Sequence, residues 1–343
     1  LYRIASARAL ALTRAGEAGL TRGLKDKETL VRLLCAVALS RIDSDTARDA
    51  VLSFLDHGRD EWDPWLLRRV GRGLAEANAA AATDKVSARI AATKKPDVDL
   101  QLAMYGKLAG CANAARRHFK ARQPLTRALA YTVAGLGEEA LTDEEVDPGL
   151  DHKSRVVNYA AARAYLETSG RNLKVALTQV LGHKKGDVVQ VGIRKAVESK
   201  AKEVLPDLKA VAQGKSPLKR DWQTRVAACV AMGRVGGRDA YDDLVALAKN
   251  RDWSIRAAAI EGLYHCYETR AIPDLIAYFV DKHPVVRMTT RRNLRYMTRK
   301  HYPKKKLYVD WWKKHGGTFE WVPPDEQERR ARTHGSATPR YIT

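Results

Sequence analysis

The chain is poor in cysteine, phenylalanine and methionine, and it lacks long apolar runs. Its 343 residues include four of each of these three residue types. The cysteines lie far apart and no two form a Cys-x-x-Cys pair, so neither a zinc site nor a disulfide framework is indicated. Buried, reduced thiols are expected instead. No apolar stretch approaches the roughly 20 residues of a membrane-spanning helix.

The sequence motifs of common enzyme classes are also missing. The chain contains no GxxxxGK[ST] phosphate loop, no HExxH metal motif and no GxSxG nucleophile turn. Its nine histidines do not pair at the spacing of metal ligands. The sequence therefore predicts a protein that is not an enzyme, with no metal, no cofactor and no evident small-molecule substrate.

Acidic residues are scarce relative to basic ones. Lys and Arg number 61 against 40 Asp and Glu, which gives a formal net charge of +21. A surplus of this size favours anionic partners, such as an acidic protein or a nucleic acid. The 45% hydrophobic content, rich in Ala, Leu and Val, is that of a folded chain with closely packed helices.

A repeat is the dominant feature that is present. RDWQTRVAACVAM (Arg220–Met232) returns as RDWSIRAAAIEGL (Arg251–Leu263), 31 residues later. Related segments recur along the chain at intervals of 26 to 36 residues. Their anchor residues are Arg3, Arg32, Arg68, Gln101, Arg127, Arg155, Gln190, Arg225, Arg256 and Arg287. A second amphipathic stretch lies between successive anchors and no period-2 strand is visible, so each repeat is predicted to be helix, turn, helix.

The copy IPDLIAYFVDKHPVVRMTTRRNL, which starts at Ile272, resembles a HEAT repeat, with a Pro-Asp-Leu opening and a Val-Arg start to its second helix. The resemblance extends from Leu1 to about Lys300, and the end of the chain loosely resembles the tails of bacterial HEAT-repeat proteins. It implies an all-α fold, a right-handed α-solenoid of about ten helix pairs over 1–302. A Trp-rich cap over 303–321 and a polar, basic tail over 322–343, extended or ordered by a partner, complete the prediction.

An Asp precedes three of the anchor arginines by four residues, and a Trp directly follows two of these Asp residues. We predict a structural joint in which Asp caps the next helix or bonds an anchor Arg, while Trp covers the seam between repeats. The residues concerned are Asp151, Arg155, Asp221, Trp222, Arg225, Asp252, Trp253 and Arg256. Alkylpurine DNA glycosylases of HEAT-like fold also use an Asp and Trp residues on a basic face. Recurrence in several equivalent turns favours the structural interpretation.

Two zones carry concentrated positive charge. The acid-free span from Leu100 to Gly137 holds the first, and an acidic patch over 138–151 follows it. The two patches form either a contact between neighbouring repeats or solvated loops. The second zone lies in residues 281–343, with 16 Lys and Arg against 6 acids. The predicted binding residues are Arg116, Arg117, Lys120, Arg122, Arg287, Arg291, Arg295, Arg299, Lys304, Lys305 and Lys306.

Aromatic residues are rare except near the end of the chain. Trp311, Trp312, Phe319 and Trp321 lie close together there. An open stack of repeats must cover its last apolar face, so we predict a capping and contact role for this cluster.

The predicted function is a non-catalytic scaffold or assembly subunit that binds an acidic protein, or further copies of itself, through a curved basic surface and the tail. The alternative is a HEAT protein that binds phosphate backbones without sequence preference, with a glycosylase as its catalytic extreme. We expect a soluble protein. Cytoplasmic and exported locations both stay open, with a slight preference for export because the chain starts at Leu1 without a Met.

Overall fold

The computed structural model of the chain describes residues 16–57, 62–215, 217 and 221–321. Within these residues every regular element is a helix, so the predicted all-α fold of stacked helix pairs is confirmed. Contacts divide the chain into an N-terminal unit, residues 1–173, and a C-terminal unit, residues 174–343. The predicted tail over 322–343 and the first anchor, Arg3, lie outside the described residues.

The described part of the N-terminal unit contains five helix pairs. Its α-helices are α1 (Glu17–Gly23), α2 (Thr29–Leu39), α3 (Asp45–Asp56), α4 (Pro64–Ala92), α5 (Asp97–Gly106), α6 (Ala112–Arg116), α7 (Pro124–Ala134), α8 (Asp143–Leu150) and α9 (Arg155–Thr168). Helix α4 serves two pairs, because Asn78 leaves the helical conformation and its Oδ1 accepts from the Ala81 N–H at 3.1 Å. Asn78 thereby acts as the N-cap of a second helix.

The described part of the C-terminal unit contains four pairs followed by a single helix. Its α-helices are α10 (Leu173–Leu181), α11 (Gly186–Ser199), α12 (Leu205–Gln213), α13 (Trp222–Gly236), α14 (Tyr241–Leu247), α15 (Trp253–His265), α16 (Ala271–Ala277), α17 (Pro284–Thr298) and α18 (Lys305–His315). The second helices of successive pairs, α11, α13, α15 and α17, pack side by side as one layer.

Aspartates begin two of these second helices as predicted. Asp221 accepts a hydrogen bond from the Thr224 N–H at 3.1 Å, and Asp252 accepts one from the Ser254 N–H at 2.9 Å. Each carboxylate satisfies a backbone donor that the first helical turn leaves unpaired. Asp151 is different, because it ends α8 and the N-cap of α9 is Ser154. Of the two predicted roles, capping the next helix therefore does not apply at Asp151.

Small residues let neighbouring helices of the second-helix layer approach each other closely. A Cβ on Gly233 of α13 would lie 2.7 Å from the carbonyl carbon of Gly262 in α15. The two helices therefore cross almost backbone to backbone.

The four cysteines are buried and free, as predicted, and burial raises the pKa of Cys229 and Cys266 to about 12.

The aromatic cluster near the chain end covers the last pair. Helix α18 packs on α16, and Trp311 is buried with its ring 5.2 Å from that of Phe319. The chain then turns back, so that the buried Trp321 lies 5.6 Å from the ring of Tyr264 in α15. These rings close the apolar end of the C-terminal unit.

Candidate interaction surfaces

The anchor arginine of a repeat holds the turn that precedes it. Arg256 donates through Nη1 to the carbonyl oxygens of Asn250 and Arg251, at 3.0 and 2.9 Å. Its Nε and Nη2 donate to the two oxygens of Asp281 in the next repeat, at 3.0 and 2.9 Å. The side chains of Arg256 and Asp281 are only 6% and 10% exposed. The joint therefore connects two repeats through a buried, bidentate ion pair.

The same contact recurs at other anchors in the described residues. Arg287 donates to the carbonyl oxygen six residues before it at 2.8 Å, and Arg32 and Arg127 do so at 2.8 and 2.9 Å. A cation at the anchor position offsets the partial negative charge of the carbonyls at the end of the first helix of the pair. Arg225 instead reaches the Ala212 carbonyl at 3.1 Å across a longer turn. The structural reading of the joint agrees with these contacts.

In the pair formed by α8 and α9, Asn158 holds the turn in a similar way. Its Nδ2 donates to the carbonyls of Gly149, Leu150 and His152 at 2.6 to 2.9 Å. Helix α9 starts three residues before Asn158, as α15 starts three residues before Arg256. The repeat is therefore shifted by three residues from the register we assigned from the sequence.

The joint also makes the stability of the C-terminal unit dependent on pH. Partial burial raises the pKa of Asp281. The hydrogen bonds from Arg256 and the His283 N–H together lower it by a larger amount, so the pKa lies below its ordinary value. A carboxylate with a depressed pKa contributes stability above about pH 4 and loses it as pH falls through the folded-state pKa. We expect the urea concentration at the unfolding midpoint to decrease as the pH is lowered from about 5 to about 2.5. Asp281→Asn should flatten that slope, and an unchanged slope would contradict the assignment.

The two tryptophans of the joint are less buried than a seam cover requires. Trp222 is 52% exposed and Trp253 is 40% exposed. Trp253 does stack on His283 of the next repeat, with ring centroids 4.0 Å apart. The pair therefore links two turns while leaving an aromatic face open to solvent.

The first basic zone divides into engaged and exposed residues. Arg116 donates to Glu145 at 3.0 Å and to the Glu139 carbonyl at 2.9 Å, which ties α6 to the start of α8. Of the two alternatives for the acidic patch, the contact between neighbouring repeats therefore holds at Glu145. Arg117, Lys120 and Arg122 are exposed.

The second basic zone follows one side of α17 and continues into α18. Arg287 is held by its turn, and the Arg291 guanidinium lies 4.6 Å from the centre of the Phe279 ring. Arg295 and Arg299 continue the row and are exposed. The lysines at 304, 305 and 306 occupy the N-cap and first two positions of α18. Most residues of the zone predicted from the sequence are therefore exposed, although Arg287 and Arg291 also contact the fold.

A further basic surface, which the sequence analysis missed, lies on the N-terminal unit. The Arg68 guanidinium lies 5.4 Å from the centre of the Tyr105 ring, and that of Arg69 lies 4.8 Å from the Trp65 ring. Arg72 is exposed one turn further along α4. The sequence pattern indicates Arg68 only as an anchor of the repeat, so it does not reveal this surface.

An open groove runs between α11 and α13 in the second-helix layer of the C-terminal unit. Its volume is about 630 Å³. Gln190 closes one end by donating to Thr224 Oγ1 at 3.3 Å. The apolar lining comes from Ile193, Val197, Ala227, Val230 and Ala231, and the polar rim includes Arg194, Glu198, Gln223 and Arg234. The small side chains of α13 leave this space unfilled. Sequence analysis did not find the groove, since its opening depends on the distance between two helices.

Arg234 at the rim of the groove has a fixed orientation. Its Nε donates to His265 Nε2 at 3.4 Å. Burial and the charge of Arg234 lower the pKa of His265 below its ordinary value. The imidazole is therefore neutral at pH 7 and accepts this hydrogen bond. A neutral imidazole does not neutralise the charge of Arg234, which stays at the rim of the groove.

In the part of the chain that the structure describes, no three His, Cys, Asp or Glu side chains are grouped as metal ligands would be. No described helix is both long and apolar enough to cross a bilayer.

Comparisons with known proteins agree with this architecture. A family model described as HEAT repeats matches residues 215–295. No curated protein sequence matches the chain. Among solved structures, the chain is similar to one from a study of how Kap95p binding induces the switch loops of RanGDP to adopt the GTP-bound conformation, with implications for nuclear import complex assembly. The identity is 13% and the TM-score 0.52, over 84% of this chain and 50% of that chain.

The chain thus matches about half the length of that relative. It is also similar to an engineered protein, with 13% identity and a TM-score of 0.39, over 80% of this chain and 87% of that one. At 13% identity, the similarity to the nuclear import structure shows the fold alone, a stack of helix pairs of the HEAT type.

Proposed function

We propose that the chain, whose residues 215–295 match HEAT repeats and whose described residues form stacked helix pairs, acts as a non-catalytic scaffold that binds an acidic protein partner. The groove between α11 and α13 is the observation that carries this proposal. Stacked helix repeats offer extended surfaces for binding other proteins. A groove with an apolar floor and a charged rim on such a surface accepts a helical or extended segment of a partner.

The chemistry of the groove defines the segment that fits. Ile193, Val197 and Val230 offer aliphatic contacts, and burying such side chains drives most protein association. Arg194 and Arg234 add two guanidiniums at the rim, against one carboxylate from Glu198. A segment with aliphatic anchors and a flanking Asp or Glu would match both features.

Two substitutions of the same kind distinguish binding in the groove from binding elsewhere on the C-terminal unit. Val230→Trp fills the groove, whereas Val280→Trp adds the same bulk at an exposed valine outside it. In a pull-down from native extract, we expect Val230→Trp to lose the partner and Val280→Trp to keep it. With the purified partner, calorimetry should show at least a tenfold weaker Kd for Val230→Trp, which is about 1.4 kcal/mol.

Nuclease treatment of the extract provides the control for indirect capture. A partner that binds the groove remains after nuclease. Loss of all partners on nuclease treatment, or unchanged binding by Val230→Trp, would contradict the scaffold proposal.

A further inference from the structure

We propose that the surface formed by the end of α17 and the start of α18 binds the phosphate backbone of nucleic acid. We call this surface the basic edge. It consists of Arg291, Arg295, Arg299, Lys300, Lys304, Lys305 and Lys306. Residues 282–309 contain ten Lys and Arg and no Asp or Glu. The basic edge lies outside the α11–α13 groove, and the proposal does not depend on a protein partner there.

Contacts between aromatic side chains bring the two helices into one surface. Arg291 lies over the ring of Phe279, and that ring is 5.6 Å from the ring of Tyr308 in α18. Tyr308 is buried and donates to the Lys300 carbonyl at 2.7 Å. Tyr308 follows Lys304 by one helical turn, so the first lysines of α18 lie beside the arginine row of α17.

The fold itself uses little of this charge. Arg292, outside the basic edge, is paired with Glu261. By contrast, Arg295, Lys300, Lys304 and Lys306 are exposed, and within the described ranges none of them forms an ion pair. Like charges at this density repel one another unless anions are bound.

The lysines of α18 stand where a helix disfavours cations. The N-terminus of a helix carries partial positive charge, and preferred N-caps accept a backbone hydrogen bond. Lys304 provides no such cap, and Lys305 and Lys306 add two charges in the first turn. Lys313 and Lys314, in the last turn of the same helix, are favourably placed. The start of α18 therefore lowers the stability of the helix, and a local feature of this kind is typical of a functional surface.

The composition of the basic edge favours nucleic acid over a folded protein. Protein interfaces are depleted of charged residues at their centre, and Lys is among the residues they use least. Interfaces with nucleic acid are strongly positive, and they add aromatic rings on which bases stack. Tyr296 is 56% exposed among the cations of α17, and Tyr302 is partly exposed before α18. Contacts from Lys and Arg to phosphate carry no sequence information, so binding through the basic edge would not depend on sequence.

The test measures the anisotropy of fluorescein-labelled random-sequence oligonucleotides, single- and double-stranded, titrated with the full chain. We expect affinity to fall steeply with salt. Lys304→Ala/Lys306→Ala should bind about tenfold more weakly, with a shallower salt dependence. The matched pair Lys313→Ala/Lys314→Ala removes the same charge from exposed lysines at the other end of α18 and should change affinity much less. Equal weakening by both pairs would overturn the proposal.

Thermal melting separates a binding surface from a structural one. Lys304→Ala/Lys306→Ala should melt at or above the temperature of the unmodified chain, because it removes charges that oppose the helix dipole. Arg295→Gln, on α17, provides a second variant and should weaken oligonucleotide binding without lower melting. A lower melting temperature in both variants would show that the lysines and Arg295 hold the fold, and would overturn the proposal.

Val230→Trp should bind oligonucleotides normally, so failure of the groove proposal would leave the nucleic-acid proposal intact.

Competing anions identify the chemical class of the partner. Binding to phosphatidylserine–phosphatidylcholine vesicles with no oligonucleotide binding would overturn the nucleic-acid proposal in favour of a membrane surface. Displacement of the oligonucleotide by an equal charge concentration of polyglutamate would overturn it in favour of an acidic protein.

Discussion

Replacement of Arg256 by alanine is expected to lower the free energy of unfolding of the C-terminal unit by about 3–4 kcal/mol. The substitution removes four hydrogen bonds and leaves the carboxylate of Asp281 buried without its cation. Breaking one side of a buried ion pair is costly, since the remaining charge keeps its desolvation penalty. The two carbonyl oxygens of the turn also lose a donor.

Urea unfolding of the full chain, followed by tryptophan fluorescence, measures this effect. Five of the seven tryptophans, residues 222, 253, 311, 312 and 321, belong to the C-terminal unit. Arg287→Ala is the matched control, because Arg287 holds its turn through carbonyls at 2.8 and 3.0 Å and, within the described residues, forms no ion pair with a carboxylate. It should lose about 1 kcal/mol. Equal losses for the two variants would contradict the ion pair as the main source of stability.

The sequence predicted the repeat well where the turn chemistry was visible. At Asp221 and Asp252 the Asp, the Trp and the anchor Arg stand in one pattern, and the helices begin where that pattern indicates. Around Asn158 only the apolar spacing was available. That spacing changes little when a helix is shifted by three residues, close to one turn, so it predicts Arg155 as the anchor. Only the carbonyls that Asn158 contacts settle the register.

The candidate surfaces were predictable to different degrees for a related reason. Net charge along the chain pointed to the basic edge, since its residues are close in sequence. Arg116 and Glu145 are 29 residues apart, and their pairing depends on how two repeats stack. The α11–α13 groove depends on still less visible quantities, the distances between backbones. Glycines and alanines permit either close contact or an unfilled gap, and the sequence does not distinguish them.

Gly233→Ala is expected to cost about 3 kcal/mol, because α13 and α15 meet where neither helix has room for a side chain. A methyl group on Gly233 would overlap the Gly262 carbonyl, and one on Gly262 would lie 2.8 Å from the Cys229 oxygen. These neighbours are backbone atoms and cannot change rotamer, so the helices must separate and lose packing along their length.

Helix propensity alone would make Gly233→Ala favourable by about 1 kcal/mol, so a measured loss reports the close approach of the two backbones. Gly317→Ala is the control, since nothing lies within 4 Å of a Cβ built there, and it should stay within about 0.5 kcal/mol of the unmodified chain. Both are measured by urea unfolding with tryptophan fluorescence. Helix α13 lines the groove on its other side, so separation from α15 should also weaken binding of the protein partner that we propose for the groove. A Gly233→Ala variant as stable as Gly317→Ala would show that α13 and α15 have space between them, and that their contact does not set the groove.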